Sequence, residues 1–394
     1  MDESQYKELL KESITFQWDK FEYFRNICKK KKRSIYDIIK AIDDEEYHQI
    51  PAIPATAFKR SKGLYKELND FSQDGKFQVS SSTSGDPSYI FTNSAELHKV
   101  VENYRLTFGI DGTSRAIGFS PSLRILDGLS KKSAYMGYQS IGRMNLALDA
   151  AKIYYKDIAF TLDVDLFRTL LSKFLNGKVV LKKKYLEEIV EIISAAQREH
   201  KKINLGGFVL LLNPYLDQLK EGQFSLGDNA YFTFAGGGYS GVKGSIKGKK
   251  VNKPEMIKKI ASVFGIDKKQ LSTNLKDIYA FTESPATNEG YWSEDFEDYL
   301  FETWHESRAY IVDPETEKPL KSGEGLLKFI TPYTNGNPSA ANVSVLQLDN
   351  ATIRGIKPNF IVSHFSHIKR FQNASVEGCA YKAEEVASVE HQHL

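Results

Sequence analysis

The chain has 394 residues, of which 41% are hydrophobic and 26% are charged, the composition of a globular protein with a large core. Its formal net charge of +3 gives no indication of nucleic-acid binding. The two cysteines are far apart and no Cys/His group has zinc-ligand spacing, so we expect no structural metal.

The N-terminus is polar and lacks the apolar segment of a signal peptide. The longest apolar run, residues 208–212, is far too short to cross a bilayer. We therefore expect a soluble, cytoplasmic protein that does not insert into a membrane.

Helical and strand patterns alternate along the chain. Apolar spacing predicts helices over residues 3–48 (two helices, the second after Ser34), 94–108, 163–175, 185–200, 215–219 and 253–264. Runs of apolar residues predict strands over 116–119, 178–181, 208–212, 230–234, 275–281, 325–330 and 343–348. The run at 208–212 is entirely apolar, as expected for a parallel strand buried on both faces. The pattern predicts an α/β fold with much parallel sheet and a last third that is mostly β.

Residues 80–85 form a run of small hydroxyl residues that ends in glycine. Such a run buries little apolar surface, but it allows tight curvature of the backbone. Its hydroxyl and N–H groups could surround a phosphate group. A flexible serine-rich surface loop is the alternative, and the segment alone does not decide between the two.

Two further polar loops follow predicted strands. Gly236–Gly238 could let the backbone approach a flat ligand, although a tight turn explains three glycines equally well. Thr282 and Glu283 could contact phosphate and Mg²⁺, although a simple helix N-terminus has the same residues. In open α/β sheets, ligands collect at the carboxyl ends of the strands, where all three loops are expected. The segments match neither a Walker phosphate loop nor a Gly-x-Gly-x-x-Gly fingerprint.

Taken together, the segments resemble the adenylate-forming (ANL) superfamily. The first resembles its Ser-Ser-Gly-Thr-Thr-Gly-x-Pro phosphate loop, and Tyr-Ala-Phe-Thr-Glu resembles its Tyr-Gly-x-Thr-Glu signature. Six such segments occur in the order of the superfamily, at residues 80–87, 235–238, 279–283, 323–326, 348–349 and 369–370.

Within that superfamily, the chain is most similar to the LuxE-type acyl-protein synthetases, with phenylacetate–CoA ligases next. Residues 53–59 resemble the Ile-Pro-x-x-Pro/Ala-x-x-Phe-Lys segment of this branch, and residues 234–243 resemble its Thr-Gly-Gly-Gly-Trp-Lys segment with a different spacing. Cys379 matches the acyl-accepting cysteine that members carry near the C-terminus. Alternatively, Cys379 is a small hydrophobic residue buried in the core, as free cysteines usually are. We expect Cys28 to be such a core residue.

The resemblance implies a set of roles in binding ATP and Mg²⁺. The residues expected to bind the β- and γ-phosphates are Ser80, Ser81, Ser82, Thr83, Ser84 and Gly85. The resemblance places Gly236, Gly237 and Gly238 beside adenine, and Tyr279 in the same nucleotide site. It assigns the α-phosphate to Thr282, Mg²⁺ to Glu283, the ribose hydroxyls to Asp349 and the ribose side to Arg370.

Several residues depart from the superfamily pattern. Ser82, Ala280 and Lys369 each stand where relatives have glycine, and Ser88 stands where many have lysine. Only 24 residues follow Arg370, so we expect the C-terminal lid domain and its catalytic lysine to be missing or vestigial. The sequence offers Lys243, or the neighbouring Lys247, as the compensating cation.

These similarities imply an adenylate-forming large domain over residues 1–370, with a helical N-terminal extension, helix-flanked mixed sheets and a smaller β-rich subdomain. A short tail, residues 371–394, would carry Cys379. The expected activity is ATP-dependent activation of a carboxylic acid, with fatty acids favoured, and transfer to a cysteine thiol. A fatty-acid reductase is the implied protein partner. The alternatives are a phenylacetate-type CoA ligase and a degenerate, non-catalytic nucleotide-binding member.

Overall fold

A computed structural model provides the coordinates of the protein. It describes residues 1–80, 87–108, 113–121, 137–152, 155, 157–162, 183–243, 246–247, 249–333 and 336–371. The predicted helix at 163–175 and the predicted strand at 178–181 therefore lie outside the described residues. No helix among the described residues is long and apolar enough to span a membrane.

The helices begin at residues with the expected capping chemistry. The side chains of Asp2, Ser34, Asn252 and Asp267 each accept a hydrogen bond from a backbone N–H in the first turn of the helix that follows. In chain order the α-helices are α1 (Glu3–Lys20), α2 (Glu22–Lys30), α3 (Ile35–Asp43), α4 (Tyr65–Leu68), α5 (Ser94–Phe108), α6 (Arg143–Ala151), α7 (Lys183–Arg198), α8 (Val209–Leu216), α9 (Lys253–Phe264) and α10 (Lys268–Asn274).

The strands fall into an N-terminal and central group and a C-terminal group. The first group is β1 (Ile53–Pro54), β2 (Gly75–Val79), β3 (Tyr89–Asn93), β4 (Thr113–Pro121), β5 (Ser140–Gly142), β6 (Asp157–Leu162), β7 (Lys202–Gly207), β8 (Ala230–Ala235), β9 (Val242–Lys243) and β10 (Ile246–Lys247). The second group is β11 (Leu275–Ala280), β12 (Thr287–Ser293), β13 (Asp298–Glu302), β14 (Arg308–Val312), β15 (Glu324–Ile330), β16 (Ser344–Ile356) and β17 (Val362–Arg370).

Twelve of these strands form one mixed sheet in the order β1-β16-β15-β14-β17-β13-β12-β11-β8-β7-β4-β6. The segment from β11 to β6 is parallel, whereas the pairings from β11 through β16 are antiparallel. A separate three-stranded sheet has the order β3-β2-β5. The prediction of an α/β fold with a parallel centre and a β-rich last third is therefore confirmed.

The parallel strands β4, β7 and β8 have two unlike faces, because successive side chains of a strand point to opposite sides. One face contributes large apolar side chains to the main core, where α7, α8 and α9 cover it. Those side chains are Ile117, Phe119, Ile203, Leu205, Phe232 and Phe234. The opposite face carries small or polar residues, namely Ala116, Gly118, Ser120, Asn204, Gly206, Thr233 and Ala235.

A second core anchors the N-terminal helices to the antiparallel end of the sheet. Apolar residues of α1, α2 and α3 pack there with residues of β14, β15 and β16. Cys28 is fully buried in this core, as expected, and burial raises the pKa of its thiol to about 12. Lys328 is also buried, and its Nζ donates to the backbone oxygens of His48 (2.8 Å) and Ile50 (2.6 Å).

One predicted strand is wrong. Phe208 caps helix α8 and residues 209–212 form its first half, whereas the neighbouring strand is β7, which ends at Gly207. A short apolar run does not distinguish a buried strand from a buried helix, because both bury every side chain. The helix predicted at 215–219 is the end of the same helix, which stops at Leu216.

Candidate active site

The glycine segment after β8 lies at the carboxyl edge of the parallel sheet. All three glycines have positive φ, 76° at Gly236, 66° at Gly237 and 98° at Gly238, a conformation that other residues adopt only with strain. A Cβ atom at Gly237 would meet nothing within 4 Å, whereas one at Gly238 would approach Leu210 Cγ at 3.2 Å. The backbone at Gly237 is therefore open to a flat ligand.

Tyr239 holds the end of this glycine segment in place. Its hydroxyl donates to Asp277 Oδ2 (3.1 Å), and its backbone oxygen accepts from Val251 N (2.8 Å). Lys253 Nζ lies 4.8 Å from the centre of the Tyr239 ring. Burial raises the pKa of Asp277 to about 6, although the charge of Lys253 opposes the shift.

Thr282 and Glu283 follow β11 at the same edge. Strands β8 and β11 are parallel, with Ala235 opposite Ile278, so both strands end side by side. Thr282 and Glu283 are each 6% exposed, and the backbone oxygen of Glu283 accepts from Asn342 Nδ2 (3.1 Å). The Glu283 carboxylate forms no hydrogen bond with another described residue. A buried carboxylate with open oxygens fits the single protein ligand that Mg²⁺ commonly takes beside nucleotide phosphates.

Asp349 joins the predicted ribose site to β11. Its Oδ2 accepts from the Tyr279 hydroxyl (2.9 Å) and its Oδ1 accepts from Arg370 Nη1 (3.2 Å). Burial and the nearby Asp349 carboxylate raise the pKa of Tyr279, so this hydroxyl remains a donor. The structure thus brings together three residues that the sequence places up to 91 positions apart.

The remaining predicted site residues are those of the serine-rich segment, Cys379 and Lys243. Ser80 follows β2, and its hydroxyl accepts from Ser88 N (2.8 Å), which closes the base of the loop. Residues 81–85 lie outside the described part of the chain, as does Cys379. Lys243 lies on β9, in a short hairpin with β10.

Arg143 contacts the loop that contains Thr282 and Glu283, and the sequence did not predict it. Its Nη2 donates to the backbone oxygens of Phe281 (2.7 Å) and Ser284, the two residues that flank Thr282 and Glu283. No sequence signal could have found it, because its partners are backbone carbonyls more than a hundred positions away.

A cavity of about 60 Å³ lies between α6 and the small-residue face of β4, β7 and β8. Its walls are mostly apolar, with a polar group formed by Asn204, Tyr155 and Thr233. Asn204 Nδ2 donates to the hydroxyls of Tyr155 (2.6 Å) and Thr233 (3.2 Å), whereas its Oδ1 has no partner among the described residues. The cavity reaches Ala235, which immediately precedes the glycine segment.

A family model described as acyl-protein synthetase, LuxE, matches residues 150–387, more than half of the chain. The chain belongs to the LuxE acyl-protein synthetase family. The predicted similarity to this branch is therefore confirmed. No curated protein matches the sequence.

Several solved structures match this LuxE-family chain at low sequence identity. One is the McyG A-PCP complexed with phenylalanyl-adenylate, with 12% identity over 75% of this chain and 47% of that one (TM-score 0.44). Another is the amide bond synthetase McbA from Marinactinospora thermotolerans, with 11% identity over 75% and 49% (TM-score 0.42). A third is the fatty acyl-adenylate ligase from L. pneumophila in complex with acyl adenylate and pyrophosphate, with 10% identity over 78% and 52% (TM-score 0.42). The chain spans about half the length of these structures.

The part of the chain matched by the LuxE family model contains most of the candidate site. It includes the glycine segment, Thr282, Glu283, Asp349 and Arg370. The serine-rich segment and Arg143 precede it. The structure therefore adds Arg143 to what the family match covers.

Proposed function

We propose that this protein uses ATP to activate a carboxylic acid as an acyl-adenylate and then transfers the acyl group to a cysteine thiol. One observation carries the first step: segments far apart in sequence meet at the carboxyl edge of β8 and β11. There the open glycine backbone follows β8 and the buried Glu283 follows the neighbouring strand β11. Tyr279 of β11 donates to Asp349 of β16, which also accepts from Arg370 of β17. LuxE-family membership supports the same reaction.

In the first step a carboxylate oxygen attacks the α-phosphorus of ATP. An O–P bond forms, the bond between the α- and β-phosphates breaks, and pyrophosphate leaves. Such a step requires positioning and charge stabilisation more than covalent help. Thr282 would contact the α-phosphate, the hydroxyls and N–H groups of residues 80–85 would bind the other phosphates, and Asp349 would accept the ribose hydroxyls.

Glu283 is the residue that would hold Mg²⁺, which when bound neutralises phosphate charge. We retain the prediction that Lys243 supplies an additional positive charge. The apolar cavity beside Ala235 supports an acid with an apolar portion, and family resemblance favours a fatty acid.

In the second step a thiolate attacks the acyl carbon, a thioester bond forms and AMP leaves. We assign the thiol to Cys379 by its similarity to the cysteine of the LuxE branch. The matched family segment extends past this residue. Cys28 is unsuited to the role because it is fully buried and burial raises its thiol pKa to about 12.

Acid-dependent exchange of labelled pyrophosphate into ATP tests the first step. We expect exchange with at least one acid in a series that varies in chain length and in polar substituents. The adenylation proposal is wrong if none of the acids supports exchange, although Mg·ATP and pyrophosphate are present at saturation.

Intact-mass measurement after incubation with ATP and the active acid tests the second step. We expect a covalent acyl adduct that hydroxylamine removes, that is lost in Cys379→Ala and that persists in the matched control Cys28→Ala. An adduct that persists in Cys379→Ala, or a product that forms only with added CoA, would contradict this assignment.

A further inference from the structure

Arg143 connects two parts of the candidate site. It is the first residue of α6 and directly follows β5, which pairs in parallel with β2. Strand β2 ends at Val79, where the serine-rich segment begins. The Arg143 guanidinium also donates to the backbone oxygens of Phe281 and Ser284. It therefore ties the strand pair that leads into the serine-rich segment to the loop that contains Thr282 and Glu283.

This guanidinium has donors that the described residues do not use. Nη2 serves both carbonyl oxygens, whereas Nε and Nη1 are buried and have no hydrogen-bond partner among the described residues. A guanidinium has five N–H donors and a permanent charge, so the three N–H groups of Nε and Nη1 lack a partner among the described residues. The Tyr104 ring, 5.8 Å from Cζ, attracts the charge but satisfies none of these donors in the way an oxygen would.

A charged donor in a buried position is unfavourable unless an anion pairs with it. The planar donor set of arginine matches phosphate oxygens better than a single ammonium group does. The loop that Arg143 contacts contains Thr282 and Glu283, the residues assigned to the α-phosphate and Mg²⁺. An anion at this point would complete the hydrogen bonding of the guanidinium.

We propose that Arg143 binds the triphosphate of ATP beside the loop that contains Thr282 and Glu283. The inference rests on the proposed adenylation and deepens it, because it names the protein cation that faces the reacting phosphate. When the acid carboxylate approaches the α-phosphorus, two anions meet. The guanidinium offsets this repulsion and stabilises the pyrophosphate that leaves.

Binding of Mg·ATP and of inorganic pyrophosphate to the full chain, measured by titration calorimetry, tests this role while the acid is unidentified. Arg143→Gln keeps a donor for a carbonyl oxygen and removes the charge, whereas Arg143→Lys keeps the charge. We expect the Kd of Mg·ATP to rise on the order of 30-fold in Arg143→Gln and by less than about 5-fold in Arg143→Lys. Millimolar guanidinium chloride should restore part of the affinity of Arg143→Gln, which a merely structural role would not allow.

Arg308 provides a matched control. Its guanidinium pairs with Glu3 (2.7 Å) and stacks on the Tyr6 ring (3.8 Å), in the N-terminal core and away from the candidate site. Arg308→Gln should lower the unfolding temperature and leave the affinity for Mg·ATP unchanged.

The outcomes separate the two proposals. If the wild type binds Mg·ATP and Arg143→Gln binds it equally well, Arg143 is only a structural tie, and the adenylation proposal stands. If Arg143→Gln does not fold, Arg143→Lys decides, because weak binding by the folded lysine variant overturns the role of the charge. If the wild type neither binds Mg·ATP nor exchanges pyrophosphate with any acid, the adenylation proposal itself is wrong.

Discussion

The two faces of β4, β7 and β8 differ in what their side chains do. One face is filled by large apolar groups such as Phe232 and Phe234, which are buried against helices. The other carries Asn204, Gly206 and Ala235, and a cavity remains beneath α6. Since the same backbone supplies both faces, the difference comes from side-chain choice alone. We infer that the packed face provides stability, whereas the small-residue face packs less tightly and leaves room for a substrate.

The largest expected effect comes from the packed face. Phe232 is fully buried in the main core, so Phe232→Ala leaves a cavity and should lower the free energy of unfolding by about 3–5 kcal/mol. Urea denaturation measures this loss. The affinity of the remaining folded protein for Mg·ATP should not change. A loss below about 1 kcal/mol would show that this face is not the stabilising one.

A second prediction concerns a charge within the core. Asp277 is buried beside Tyr239 and Lys253, and burial raises its pKa from 3.8 to about 6. The folded state therefore favours the protonated form, and stability falls as the pH rises from about 4 to 6. Asp277→Asn should raise the free energy of unfolding at pH 7.5 by about 3 kcal/mol and remove this pH dependence.

Denaturation of Asp277→Asn and the wild type at pH 4, 6 and 7.5 checks this prediction. Asparagine can still bond the Tyr239 hydroxyl, so the glycine segment should keep its position and Mg·ATP its affinity. If the free energy of unfolding depended on pH equally in the two proteins, the conclusion that burial of the Asp277 charge lowers stability would be contradicted.

A third prediction fills the cavity. Ala147 lies on α6 and lines the cavity, so Ala147→Leu should occupy the space with little loss of stability. We expect the KM for the active acid to rise at least about 10-fold, equivalent to ~1.4 kcal/mol, and the KM for ATP to stay unchanged. Ala150→Leu is the matched control, because Ala150 is fully buried in packed surroundings of the same helix. It should destabilise the fold by about 1–3 kcal/mol instead. An unchanged acid KM in Ala147→Leu would place the acid elsewhere.

The smallest expected effect tests the polar group in the cavity. Tyr155→Phe removes the hydroxyl that accepts from Asn204 Nδ2 at 2.6 Å, while Thr233 remains as a partner. We expect a loss of about 1 kcal/mol in the free energy of unfolding. If the acid contacts this polar group, the KM for the acid changes as well. That change would show that the small-residue face recognises polar substituents of the acid.

Much of the architecture can be predicted because it depends on local patterns. Apolar spacing predicts helix Ser94–Phe108 with its observed ends, and the last third is β-rich as expected. The strand Lys202–Gly207 escapes prediction because it contains Asn204 and two glycines, the residues that its cavity-facing side needs. Order along the chain is the basis on which Tyr279 and Asp349 are predicted, and the structure joins the two by a hydrogen bond. Arg143 belongs to no motif, and tertiary folding alone brings it to its partners.

Hydrogen–deuterium exchange of the full chain with and without Mg·ATP tests the central claim most directly, because it locates the nucleotide even while the acid is unidentified. We predict slower exchange in peptides that cover residues 235–240, 278–284 and 347–351, and unchanged exchange in helix Lys183–Arg198, which covers the packed face. Protection confined to other segments, or none at saturating Mg·ATP, would contradict a nucleotide site at the carboxyl edge of β8 and β11.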